Sequence, residues 1–95
     1  MLKLFEPGQV CMTSDVSVCM SENPDFAQVA MDAVHRHLSG DWGDLTNDDR
    51  DLNNAALVTG DRLFSVYKAP CDNEWLYVIT EGDRSSTLLM FPSEY

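Results

Sequence analysis

Four carboxylates crowd the middle of the chain, Asp41, Asp44, Asp48 and Asp49, and a short run of oxygen donors is what a hard cation such as calcium requires. Their spacing does not build a calcium loop, because no glycine stands at the sixth position and no glutamate at the twelfth. Carboxylates at the start of a helix account for the same residues more simply. His35 and His37 lie two apart on a predicted helix, so their side chains leave it about 200° apart instead of converging on one metal. His37 is expected at the edge of the core and His35 in solvent. Cys11, Cys19 and Cys71 form no CxxC pair, and zinc gathered from distant segments has no spacing behind it. There is no GxSxG elbow for a nucleophilic serine, no setting that would activate a cysteine, and no glycine-rich phosphate loop. The residues predict no catalytic centre, no metal and no cofactor.

What remains is chemistry suited to recognition. Gly40-Asp41-Trp42-Gly43-Asp44-Leu45 puts one large aromatic between two glycines and two carboxylates where two helical patterns meet. Glu81-Gly82-Asp83-Arg84-Ser85-Ser86 gathers charge and hydroxyls in a hairpin connection, a place where a rigid scaffold often carries binding groups. Asp41, Trp42, Asp44, Glu81, Asp83 and Arg84 are thus the candidate interaction residues. Each has a structural alternative: Asp83 capping local amides and pairing with Arg84 or Arg62, and Trp42 and Trp75 anchoring the core before serving any interface.

The elements that would position these residues follow from hydrophobic period and punctuation. Gly8 to Thr13 alternates behind a Pro-Gly turn and predicts a short strand, with loop or irregular chain through Ser21. Asn23 offers a cap and Pro24 a first helical position, after which Phe26, Val29, Ala30, Ala33, Val34 and His37 recur at helical spacing. That helix should end near Gly40. Thr46 then caps a second helix with Asp49 three residues on, carries Leu52, Ala55, Ala56 and Thr59 on its packed face, and stops at Gly60. Arg62 to Lys68, Glu74 to Thr80 and Ser86 to Phe91 predict three strands joined by turns at Pro70-Cys71-Asp72-Asn73 and Glu81-Gly82-Asp83. The predicted architecture is a two-layer α+β domain, with two helices packed on a three- to four-stranded, mainly antiparallel sheet and the N-terminal strand at an edge. Residues 1–95 form a single domain, with no repeat or linker to divide them.

The formal charge of −10 and pI near 4.2 set the choice of partner. A polyanion is repelled by nucleic acid and by anionic lipid, so direct binding to either is not expected and a basic protein partner is. Acidity that only keeps the chain in solution is the plainer alternative. An odd count of cysteines suits a reducing cytoplasm better than a secreted disulfide framework. The opening apolar residues are broken by Glu6 and Pro7, too early for a targeting segment, and no run approaches membrane-spanning length.

Several separated blocks carry a resemblance that spans the chain from about Asp25 onward. They are Gly40-Asp41-Trp42-Gly43-Asp44-Leu45, then Asp49, Asn53 and Leu57, Gly60 with Arg62-Leu63 and Ser65-Val66-Tyr67, Trp75, Ile79-Thr80-Glu81, Asp83-Arg84-Ser85, Thr87 and Phe91-Pro92-Ser93-Glu94-Tyr95, with Gln9-Val10 similar nearer the start. In these the chain resembles a family of small bacterial proteins of unassigned activity, often encoded on plasmids and conjugative elements. The resemblance implies a bacterial, cytoplasmic, mobile-element setting and assigns no catalytic residue. The chain departs from it in carrying fewer lysines near the second helix and Gly82 where alanine is common, which makes its surface more acidic.

Three functional expectations follow. The first is a noncatalytic accessory protein that binds another protein through an acidic, aromatic-bearing face, in its sharper form by mimicking nucleic acid for a basic, nucleic-acid-handling partner. The second is a small enzyme or ligand-binding domain with a polar site at Glu81, Asp83 and Arg84 near Trp42. The third is a domain that associates with itself along the edge strand near Val10.

Overall fold

A computed structural model describes residues 3–71 and 74–95. The turn residues Asp72 and Asn73 lie outside the described residues. The chain runs β1 (Gln9–Met12), α1 (Ser14–Glu22), α2 (Pro24–Leu38), α3 (Asn47–Thr59), β2 (Leu63–Lys68), β3 (Trp75–Thr80) and β4 (Ser86–Met90), and closes on a 3₁₀ turn at Pro92–Glu94. This is an α+β fold. The strands form one sheet in the order β1-β4-β3-β2, in which β2, β3 and β4 are an antiparallel meander and β1 lies at an edge, as expected. β1 runs parallel to β4, so the sheet is mixed, not purely antiparallel.

The segment after β1 is a helix and not the loop that its sequence suggested. Thr13 caps it by accepting from the Val16 amide at 3.3 Å, and Val16, Cys19 and Met20 turn to the core at helical spacing. One turn of polar and β-branched residues hid this short pattern. Asn23 then closes α1 and opens α2. Its backbone N–H donates to Cys19 O, its side-chain oxygen accepts from the Phe26 amide, and its Nδ2 donates to Pro70 O at 3.0 Å.

Strand alternation divides the sheet into two faces. Leu63, Ser65 and Tyr67 from β2, Leu76, Val78 and Thr80 from β3, and Thr87 and Leu89 from β4 are all buried. Val16 of α1 and Phe26, Ala30 and Ala33 of α2 join Tyr67, Leu76, Val78 and Leu89, with Phe91, in one core. α1 and α2 therefore make the helical layer.

α3 corrects the expectation that both predicted helices cover that face. It flanks the free edge of β2, where Trp42, Ala56 and Leu63 make a second, smaller core with Phe5, Leu45 and Leu57. Its inward positions are Asn53, Ala56 and Leu57, while Ala55 and Thr59 are exposed and Leu52 is 67% exposed. A helix beside a strand edge meets backbone as well as side chains, so an amide at its contact line satisfies what a leucine could not.

Candidate functional site

The Trp42 junction is built to hold its own shape. Gly40 and Gly43 take positive φ of 87° and 77°, and a Cβ on Gly43 would run into the Val66 carbonyl. The junction then lies along β2 as a short parallel bridge, the Asp44 amide donating to Val66 O at 2.7 Å and the Val66 amide to Trp42 O at 3.2 Å. Trp42 is 4% exposed, stacked against Phe5 and edge-on to His37, with its indole N–H donating to Asn54 Oδ1 at 3.0 Å. It is a core anchor and presents no aromatic surface to a partner. Asp41 accepts two bonds from Arg36, at 2.7 and 3.2 Å, and one from the Gly43 amide. The Arg36 bond holds its carboxyl below the usual carboxylate range, and Asp44 keeps an exposed side chain.

The second candidate group is also turned to structural use. Arg84, at φ 61°, donates to the carbonyls of Asp61 (2.7 Å), Glu81 (3.1 Å), Gly82 (3.2 Å) and Ala56 (3.0 Å), so its cation closes the carbonyl end of α3. Asp83 accepts from the Ser85 amide at 2.9 Å, the local capping expected of it, and bonds to Ser85 hold its carboxyl below the ordinary value. Its expected pairing with Arg84 or Arg62 is not found: among the described residues the ion pairs are Lys3–Glu6 and Arg36–Asp41. Glu81 and Asp83 are exposed. The two groups meet at Phe5, whose ring stacks on Trp42 on one side and lies 5.6 Å from the Arg84 guanidinium, and at Ala56, which packs in the Trp42 core and whose carbonyl accepts from Arg84.

A buried polar chain went unread in the sequence. His37 is fully buried, not at the core edge, and its ring nitrogens meet Ser65 Oγ at 2.5 Å and Thr80 Oγ1 at 2.9 Å. Thr80 bonds Thr87 at 2.7 Å, and Thr87 donates to the Pro7 carbonyl at 2.8 Å. That carbonyl can only accept, and a hydroxyl has one proton to give, so the bonds from Pro7 back to His37 Nε2 have a set direction, and burial that keeps the ring neutral sets the last one at Nδ1. Thr80 donates to Thr87, His37 Nε2–H donates to Thr80, and Ser65 donates to Nδ1. His37 is held as the neutral Nε2–H tautomer, and burial followed by the nearby Arg84 charge lowers its pKa to about 3. Ser65, Thr80 and Thr87 are themselves fully buried, so the serine-histidine pair has no route to a substrate. The signal was available as a histidine in the apolar stripe of α2 and hydroxyls at inward positions of three strands.

Two clefts open elsewhere. One of about 470 Å³ lies beside α1, walled by Asp15, Cys19, Glu22, Cys71 and Phe91. The other, about 400 Å³, runs between α3 and the outer face of the sheet, walled by Leu45, Asp49, Leu52, Arg62, Phe64 and Tyr95. Tyr95 packs on Phe64 and Tyr77 and accepts from Arg62 Nη2 at 2.5 Å. Leu52 and Tyr95 are each 67% exposed, and the sequence reading named neither as a site residue. Of the six residues it did name, none lines either cleft. No group of three or more His, Cys, Asp or Glu among the described residues could hold a metal ion, and no helix among them is long and apolar enough to cross a membrane. Comparison with family models, curated proteins and solved structures finds no match to this chain.

Proposed function

We propose that this chain is a noncatalytic accessory protein of bacterial mobile elements that acts in the cytoplasm by binding a basic, nucleic-acid-handling protein. The observation that carries the reading is the groove between α3 and the outer sheet face, where exposed Leu52 and Tyr95 stand beside Phe64 and below an acidic helix start. α3 brings Asp49 into the groove wall, and Asp48 and Asp51 are exposed on the same helix. Its one basic residue, Arg50, donates to the carbonyls of Gly43 and Leu45 at 2.9 and 3.3 Å. An apolar strip walled by the Asp49 carboxylate at the α3 side and the Arg62 guanidinium at the sheet side, on a chain of net charge −10, suits a partner segment that offers aliphatic side chains with a lysine or arginine toward α3. The same carboxylates, with exposed Asp44 at the entry to α3, are what nucleic-acid mimicry would present to a basic groove.

The ligand-binding alternative at Glu81, Asp83 and Arg84 has no comparable observation in its favour, since none of the three lines either cleft and Arg84 Nη1 and Nη2 already donate to four carbonyls. The test is capture from bacterial lysate on the immobilised chain, compared with a Leu52→Glu, Asp49→Lys variant. A basic or nucleic-acid-handling protein retained by the parent and lost by the variant supports the reading. Retention unchanged by the variant, or recovery of no such protein, removes it.

A further inference from the structure

The two edges of the sheet are treated differently. β2 is closed at Phe64 and Val66: Asn53 pairs with the main chain of Phe64, and the Trp42–Asp44 segment takes both backbone groups of Val66. β1 is left open. The Gln9 and Thr13 amides donate to Ser85 O and Leu89 O of the β4 side, and by strand alternation Cys11 faces the same way. The backbone groups of Val10 and Met12 therefore point outward, between side chains that are 45% and 41% exposed. β1 carries no lysine, proline or inward charge, the devices that commonly protect an open edge.

We propose that β1 pairs with β1 of a second copy of this chain, antiparallel about a two-fold axis at Cys11, joining two four-stranded sheets into one. Charge selects this occupant. Each copy carries −10, yet Gln9–Met12 holds no charged residue, so self-repulsion is least along this strand. A basic segment of another protein would find no carboxylate on β1 to read. Geometry selects the register. A two-fold normal to the sheet keeps the helical layers on one side, so only same-face residues can oppose each other. Centring on Cys11 sets Val10 opposite Met12 of the second copy and Met12 opposite Val10, each pair exchanging two backbone bonds. Centring on Val10 or Met12 leaves some of these outward groups unpaired. The two Cys11 side chains then face each other as a non-hydrogen-bonded pair, with Cβ atoms about 4.5–5.5 Å apart. This surface lies away from the α3 groove, so it stands or falls independently of the partner reading.

The test uses the unmodified chain. Sedimentation from about 10 µM to about 1 mM should show the mass rising from 10.7 kDa toward twice that value. The association should tighten as added salt screens like charge. A short bis-maleimide should convert the dimer to a covalent one, with the linked peptides mapping to Cys11–Cys11. Val10→Lys and, separately, Met12→Lys should abolish both signals with an unchanged far-UV spectrum, as both side chains are already near solvent. A monomer at every concentration, a dimer weakened by salt, a crosslink mapping to Cys19 or Cys71, or a dimer that survives both folded variants would each overturn the proposal.

Discussion

Asn53 pairs with the main chain of Phe64 as a neighbouring strand would. Its Nδ2 donates to Phe64 O at 2.7 Å, and its Oδ1 accepts from the Phe64 amide at 3.1 Å. One buried side chain thus satisfies both backbone groups of an edge residue and locks α3 to the sheet.

Replacing Asn53 with leucine, which has nearly the same shape, should leave the Phe64 amide and carbonyl unpaired. The expected loss is about 2–4 kcal/mol in urea unfolding, against under about 1 kcal/mol for Leu52→Ala on the exposed side of the same helix. Equal costs at the two positions would mean that α3 is not held by this pairing.

His37 makes stability depend on pH. Its folded pKa is lowered to about 3 from an ordinary 6.5, so between those values the unfolded chain binds the proton that the folded chain refuses. Stability from this group is complete above about pH 6.5 and falls as pH drops toward 3, by on the order of 3–5 kcal/mol in total. The difference in unfolding free energy between the parent and His37→Gln isolates this term from the carboxylates. It should shrink as pH is lowered through that window, and a difference that stays flat would refute the assignment. Nitrogen NMR at pH 6 should show the neutral Nε2–H tautomer.

Gly43 and Gly60 both have positive φ but differ in what surrounds them. Alanine at Gly60 meets nothing within 4 Å and should cost about 1 kcal/mol, the strain of the left-handed cap alone. Alanine at Gly43 must also displace the Val66 carbonyl, so it should cost roughly 3 kcal/mol or more. Thermal unfolding of the two variants gives the comparison.

Arg84→Lys keeps the charge and loses the planar fork that reaches four carbonyls. It should destabilise by about 1–2 kcal/mol, and Arg84→Ala by about 2–3 kcal/mol. Hydrogen exchange should rise first at the end of α3, whose Ala56 carbonyl loses one of its two donors and keeps only the Gly60 amide. A variant that kept full stability would return Arg84 to the list of residues free for binding.

Much of the fold was legible because local rules and burial agree there. The caps at Asn23, Thr46 and Gly60, the apolar stripe of α2 and the alternation in β2, β3 and β4 each state their element within a few residues. α1 was not legible, since its polar outer face and short length leave a weak periodic signal that only packing against α2 and β4 resolves. The candidate site divides in the same way. The glycine-bounded tryptophan and the charged hairpin were recognised as special; Trp42 and Arg84 hold the junction and α3 in place, while Asp44, Glu81 and Asp83 stay exposed.

By itself, the order of residues determined the strands, two of the helices, the acid excess and the turn chemistry, because these depend on neighbours a few positions apart. Only the tertiary structure decided that α3 lies along an edge, that β1 runs parallel to β4, that His37 meets Ser65 and Thr80, and that Leu52, Phe64 and Tyr95 share a groove. Those relations join residues many positions apart. They exist only once the core has closed and every buried polar group has had to find a partner.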